Sequence, residues 1–510
     1  MANHLFQQIR DVAGRRPESP FLECAPGLSL TYSDMLALSG RYASAFAAVG
    51  AKPGSRIAAQ IEKSPQAIML YLGAVRAGAI FLPLNTAYTV DELAFFLADA
   101  APDILVCNPA RLPVLLPVAA KAGVRAAETL GADGSGSLPE RCADCAEEFA
   151  DATRAPDDLA AILYTSGTTG RSKGAMLTHD NLLSNALALA KLWRFTPDDT
   201  LLHALPLYHT HGLFVAVNTV LLSGAKLLLL PKFDPDQVLR LMGRATVMMG
   251  VPTFYTRLLR HPDLSHVSAE HIRLFISGSA PLLEETHRAW NERTGHKILE
   301  RYGMTETNMI SSNPYEGERR PGSVGFPLPG VALRITSQAT GDVLAQGETG
   351  VIEVKGPNVF CGYWQSPEKT AQEFRDDGYF VTGDLGKIDR DGYLHIIGRA
   401  TDLIISGGLN VYPSEVEAAI NALPGVVESA VIGLPHEDFG EAVAAIAVLT
   451  EGAALDESSI QNALAKKLAK FKMPKRVIFA QELPRNAMGK VQKNLLREKF
   501  AELFGAPADN

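Results

Sequence analysis

Tyr164-Thr165-Ser166-Gly167-Thr168-Thr169-Gly170-Arg171-Ser172-Lys173-Gly174 is the stretch from which the rest of the chain is read. The apolar run at 159–163 ahead of it has the length and composition of a buried strand. That run leads directly into hydroxyl residues, two glycines and a lysine. Gly167 and Gly170 admit positive φ and leave room for a ligand against the main chain. Successive N–H groups in such a turn form an anion-binding concavity, to which Thr165, Ser166, Thr168 and Thr169 add hydroxyl donors. Lys173 sets a cation beside the bound oxygens. The pattern is a polyphosphate cradle but not a Walker A loop, which closes on Gly-Lys-Ser/Thr; here Gly174 and Ala175 follow Lys173. Gly, Ser and Thr are also ordinary loop residues, so the meaning of the segment rests on its surroundings.

With 510 residues the chain is long enough for two or more domains around a large core. A formal charge of −8 provides no basic footprint for nucleic acid. The lysine-rich stretch at 466–472 reads as the solvated face of a helix. Five cysteines are scattered, and Cys142-Ala143-Asp144-Cys145 is a lone CxxC in a polar connecting region, which argues against a zinc ribbon or a redox pair. A reducing cytosol is the expected compartment. The first residues lack a basic-then-apolar signal pattern, and Arg76 and Pro83 interrupt the apolar stretch at 67–84, so no membrane span is expected.

Helical patterns at 30–49, 65–76 and 90–98 alternate with short apolar runs at 56–61, 80–84 and 104–107, which predicts α/β layers. A turn-rich connection at 131–137 precedes the cradle, and further strands are expected at 226–230, 246–250 and 272–277. From Val351 the texture changes to short β runs at 351–355, 379–381 and 393–397. Beyond Arg399 a compact tail begins. Ser414-Glu415-Val416-Glu417 reads as a capping box opening a helix that ends near Pro424. Strands at 426–432, 442–449 and 476–479 and a helix at 457–471 complete an α/β unit large enough to stand alone.

Five further segments make sense beside a phosphate loop. His209, His211 and Gly212 share one turn; with no carboxylate or cysteine set near them or His203, they read as a pocket wall rather than a metal site. In Arg301-Tyr302-Gly303-Met304-Thr305-Glu306-Thr307, following a strand, the aromatic suits a purine, and Thr305 and Glu306 suit phosphate and magnesium, for which one carboxylate suffices. Asp384, after Gly383, suits the two hydroxyls of a ribose. Gly398-Arg399 and the segment opening Ser406-Gly407-Gly408 flank the tail's boundary, and Lys490 follows a glycine turn near the C-terminus.

In this order the segments closely resemble the adenylate-forming superfamily of acyl-CoA synthetases, peptide-synthetase adenylation domains and luciferases, over about 30–490. The resemblance implies an N-terminal AMP- and acyl-binding domain at 1–398, built from two α/β subdomains and a small β-barrel-like one. A hinge at 399–402 (Arg399, Ala400, Thr401, Asp402) and a mobile α/β lid at 403–510 would follow. It implies ATP, magnesium and coenzyme A as cofactor and co-substrates. The nucleotide would meet Thr165, Ser166, Gly167, Thr168, Thr169, Gly170, Lys173, Ser279, Ala280, Pro281, Arg301, Tyr302, Gly303, Met304, Thr305, Asp384 and Arg399. Glu306 and Thr168 would hold magnesium. Lys490, Glu306 and His209 would be catalytic, and Ser406, Gly407 and Gly408 would line the thiol channel.

The residues also speak to the acid. The superfamily's usual Glu-Gly before Tyr-Gly-x-Thr-Glu is here Glu300-Arg301, and Arg257 lies in another segment that borders the acyl pocket in relatives. A guanidinium facing a fatty or aryl chain would be a buried unpaired charge, so two arginines point to a second carboxylate on a short acid. Either arginine could instead point to solvent or pair with Glu300, Glu284 or Glu285. Ser279 and His209 would supply further donors, and Arg257, Ser279 and Arg301 resemble the pattern of the malonyl-CoA synthetase subgroup, which implies ATP-dependent ligation of malonate, with methylmalonate next, to coenzyme A through an acyl-adenylate. Other readings are a ligase for another short acid and a non-catalytic nucleotide-binding protein. A carrier-protein loading domain fits less well, because no attachment segment follows Lys490. Lys490, exposed after a glycine turn, is also an expected target for a lysine acetyltransferase and deacetylase.

Overall fold

In the computed structural model the described residues are 2–24, 27–165, 172–407, 409–465, 467–486 and 489–505, and their strands form four sheets. The six-stranded sheet runs in the order Ala126–Thr129, Ile104–Cys107, Arg56–Gln60, Ile80–Pro83, Leu159–Thr165, Lys173–Thr178. Its first five strands are parallel; the last turns back antiparallel on Leu159–Thr165. The nine-stranded sheet has a parallel centre that includes Thr200–His203, Val247–Gly250, Leu274–Ser277 and Leu299–Met304. These central strands are buried along their length, apart from the last residues of Leu299–Met304, as expected of parallel strands covered on both faces.

The helix Pro65–Arg76 lies inside the core. Ser64 caps it and Pro65 starts it, and Tyr71 packs on Phe81 of one sheet and on Phe214 in the wide helical turn His211–Val217 (ring centres 5.5 and 5.7 Å). One apolar cluster contains residues of this helix and of both sheets. Arg76, at the helix end, is 1% exposed and fully engaged: it donates to Asp151, to the Leu36 and Phe149 carbonyls and to Ser39. Among the described residues no helix is long and apolar enough to cross a membrane.

Ala332–Thr336, Gly350–Lys355, Phe380–Ile388 and Leu394–Arg399 make an antiparallel four-stranded sheet where the barrel-like unit was expected, and its register places Asp384 opposite Arg399. From Ile404 onward a five-stranded sheet buries two apolar clusters drawn only from its own segment, with Pro413–Asn421 and Glu457–Leu464 on one face and Lys493–Lys499 on the other.

Three sequence expectations change. The capping box at Ser414 does not form: Tyr412 is the N-cap, the Ser414 hydroxyl donates to the Ile397 carbonyl, and Glu417 accepts from the Val431 amide and pairs with Lys493. Tertiary partners outcompete the local cap. The helix expected at 457–471 stops at Leu464, and Lys470–Lys472 is a separate short turn. Cys142 is buried in the helix Ser137–Ala143 rather than in an open connection, because Leu138 and Cys142 share its inward face.

Candidate active site

Leu159–Thr165 and Lys173–Thr178 pair as antiparallel strands, with Thr165 opposite Lys173 at their mouth, while Ser166, Gly167, Thr168, Thr169 and Gly170 lie outside the described residues. Facing that mouth is the tight turn at 305–307, which joins the antiparallel strands Leu299–Met304 and Asn308–Ser312; Arg301 to Met304 thus lie within a strand rather than after one. Glu306 is 5% exposed, and its Oε1 lies 3.5 Å from the Thr165 hydroxyl and 3.1 Å from the Tyr363 hydroxyl. Tyr363 is closer to Glu373, at 2.7 Å, and its ring faces the Lys173 ammonium at 5.4 Å. Burial raises the Glu306 pKa and lowers that of Lys173, on which Lys369 acts in the same direction. No lysine or arginine is paired with Glu306 among the described residues. A buried carboxyl group without an ion pair fits a divalent metal, although no cluster of three ligand-type residues occurs among the described residues.

Beside this turn, Tyr302 donates to Asp384 Oδ2 at 2.5 Å, and Arg399 Nε meets Asp384 Oδ1 at 2.7 Å. Each carboxylate oxygen keeps lone-pair capacity for a further donor. Gly303, Met304 and Thr305 are half-buried along the same edge, as is Ala280, while Pro281 is exposed.

Arg301 leaves the same strand on the other side. It is 3% exposed, its Nη2 donates to Ser279 Oγ at 3.4 Å, and its Nε is buried without a partner. The guanidinium lies where a side chain at position 278 would be, 2.4 Å from a Cβ built on Gly278, so only glycine leaves it room. Ser279 holds its hydroxyl there from a left-handed backbone (φ 71°), and the same oxygen meets His211 Nδ1 at 3.2 Å. His211 is 1% exposed and its Nε2 has no partner; the half-buried His209 also has a buried, unpartnered Nε2. Burial keeps both rings neutral, with the His209 pKa lowered to about 4. Thr210, between them, donates to Asn308 at 2.6 Å and ties this wall to the Glu306 turn.

Arg257 departs from its expected place. Tyr255 and Leu258 take the inward positions of Pro252–Leu259, so Arg257 in the last turn is exposed, without a bond to the Arg301 set. Nor does Glu300 pair with Arg301, since neighbours on a strand face opposite sides.

The C-terminal unit reaches the site at Gly489 and Lys490, where the Gly489 amide donates to the Asn486 carbonyl and the Lys490 amide to Asn486 Oδ1. A Cβ at Gly489 would stand 3.1 Å from Thr253, which shares a helix face with Arg257. Lys490 keeps open surface, yet the surrounding protein desolvates its ammonium and lowers its pKa; Arg399 acts in the same direction, while Asp384 and Asp402 oppose it. Arg399 ends its strand, and the short turn Ala400–Asp402, with Thr401 between, follows; Asp402 pairs with Arg497 at 2.5 Å. Ser406 is buried, Gly407 is exposed against Phe439, and Gly408 lies outside the described residues.

Reasoning from sequence missed Tyr363 and Glu373, which no motif marks, and named His211 only as part of a wall.

Models of known families match this chain in two places: AMP-binding enzyme over residues 9–364, and AMP-binding enzyme C-terminal domain over 415–490. The crystal structure of ATP-bound MatB from Rhodopseudomonas palustris is 58% identical over 99% of this chain and 100% of that one, with a TM-score of 0.97; its apo form superposes at 0.86. The malonate–CoA ligase of Arabidopsis thaliana is 36% identical over 88% of this chain and 79% of its own length. A long-chain-fatty-acid–CoA ligase of Bacillus subtilis is 33% identical over 98% and 96%.

Proposed function

The chain belongs to the AMP-binding enzymes and is an AMP-forming acid–CoA ligase, and from that premise we propose that its acid is malonate, with methylmalonate next. The observation that carries this reading is Arg301. Arg76 is equally buried and spends its donors on a carboxylate, two carbonyls and a hydroxyl; Arg301 has one long bond to Ser279 and an unpaired Nε. A buried guanidinium with spare donors fits a carboxylate brought by the substrate.

In the reaction, one malonate carboxylate attacks the α-phosphorus of ATP while the other rests on Arg301, Ser279 and the histidine wall. The bond to the β-phosphate breaks, pyrophosphate leaves, and a malonyl-adenylate forms. Lys173 and the cradle at 165–170 would take the phosphates, Tyr302 the adenine, Thr305 the α-phosphate, and Asp384 with Arg399 the ribose. Glu306, with Thr168, would hold magnesium, which when bound neutralises triphosphate charge. Lys490 offsets the repulsion between carboxylate and triphosphate. The thiol of coenzyme A then attacks the carbonyl carbon, the carbon–oxygen bond to AMP breaks, and AMP leaves. For that step the unit at 403–510 would turn about residues 399–402, bringing Ser406 to Gly408 to the thiol and separating the two half-reactions. We assign the enzyme to the reducing cytosol and Lys490 to reversible acetylation, the latter in keeping with its exposure.

Pyrophosphate release across mono- and dicarboxylates tests the reading, with malonate expected to give the highest kcat/KM. Arg301→Gly should cost malonate roughly ten- to a hundredfold in kcat/KM while butyrate holds or improves. A malonate-to-butyrate ratio unmoved by Arg301→Gly would sink the assignment. Arg257→Ala should shift the ratio in the same direction but less, given its exposure.

A further inference from the structure

Lys63 is a half-buried lysine that the reaction above does not use. It follows the strand Arg56–Gln60 of the six-stranded sheet and precedes Ser64, the cap of Pro65–Arg76. Its Nζ donates to His203 Nδ1 at 2.7 Å and to the His203 carbonyl at 2.9 Å. His203 ends a central strand of the nine-stranded sheet, so Lys63 joins the ends of strands in the two sheets. A lysine has only donors when charged, and as an amine it still has two, so both bonds survive in either state. Receiving one of them fixes the His203 tautomer: Nδ1 accepts, and the ring proton sits on Nε2. Nε2 in turn donates to the Gly212 carbonyl at 2.7 Å, with His203 only 1% exposed.

Gly212 is the second residue of the wide turn His211–Val217, and it is held tightly. A Cβ at this position would lie 1.9 Å from the Pro206 carbonyl oxygen. The residue before it is His211, bonded to Ser279, which is bonded to Arg301. Among the described residues no carboxylate is paired with Lys63, and a methionine would fill the same space without desolvating an amine, so packing alone does not account for it.

We propose that Lys63 is a positioning residue for acid selection. Through His203 it fixes the Gly212 carbonyl, and with it the place of His211 against Ser279 and Arg301. The proposal rests on the reading of that set as the dicarboxylate pocket.

The test is steady-state kinetics of Lys63→Met, His203→Phe and His203→Gln in the pyrophosphate-release assay, with malonate and ATP varied in turn. Lys63→Met and His203→Phe should raise the malonate KM about tenfold and leave the ATP KM within about twofold. His203→Gln carries one acceptor and one donor and should recover most of the loss. ATP and malonate KM values rising together, or glutamine faring no better than phenylalanine, would overturn the proposal. The glutamine–phenylalanine comparison decides it even where Lys63→Met does not fold. If the unaltered enzyme prefers another acid, the dicarboxylate reading falls, and the same KM split measured with that acid still decides the role of Lys63.

Discussion

Glu300 and Arg301 stand side by side in sequence with opposite charges, and alternation along the strand keeps them apart. Arg301 faces Ser279 and Gly278; Glu300 is 6% exposed, with Oε1 unpartnered, and burial raises its pKa to about 8 against a lesser pull from the Gly322 amide. The consequence for stability has a definite sign. Between the ordinary glutamate range and about pH 8 the folded chain holds a proton that the unfolded chain has lost, so stability falls as pH rises through that window. Glu300→Gln cannot titrate. Its stability should therefore fall less between pH 5 and pH 8 than that of the unaltered protein, with a difference of the order of a few kcal/mol at most. Denaturant unfolding at the two pH values measures it. Parallel behaviour of the two proteins would mean that Glu300 titrates normally in the folded state.

At the scale of elements, the loop after Leu274–Ser277 is under local strain for the sake of a hydroxyl. Ser279 sits at φ 71°, where a side chain costs roughly 1 kcal/mol and glycine costs little. Ser279→Gly should be the more stable of two variants and Ser279→Ala the less stable, yet both should lose malonate efficiency alike because both lose the bonds to His211 and Arg301. Thermal unfolding and kcat/KM for the pair separate strain from chemistry; full efficiency in Ser279→Ala would mean that the hydroxyl orients nothing. This scale also shows what the sequence could disclose. Pro65–Arg76 and Ile104–Cys107 are legible to the residue, because a serine cap with proline at the first turn, and an unbroken apolar run, leave one local solution. The helix at Pro413 was legible, but its cap was not, because Ser414 and Glu417 are drawn away by groups distant in sequence. In the site, motif residues were visible because one segment carries each of them. Tyr363 and Glu373, or Lys63 and His203, come together only when sheets pack, and the exposure of Arg257 follows from Tyr255 and Leu258 taking the inward face of its helix.

At the scale of the whole molecule Gly489 stands against Thr253 of the larger unit, while Ser406 and Gly407 are bonded within the C-terminal sheet. At the junction Ser414 donates to the Ile397 carbonyl and Arg497 pairs with Asp402. In the proposed cycle both ends of the C-terminal unit serve the same site in turn, so they should be separable by mutation. Lys490→Ala removes a cation needed while carboxylate and triphosphate meet, and should slow malonyl-adenylate formation roughly a hundred- to a thousandfold. Once the adenylate exists, its phosphoryl charge is reduced and Lys490 has turned away. Thioester formation from supplied malonyl-adenylate should therefore stay within about twofold of the unaltered enzyme, since no interaction made in that step's transition state is lost. Rapid-quench measurement of each half-reaction decides it, and an equal loss in both would place Lys490 at the site throughout, leaving no role for a turn about residues 399–402.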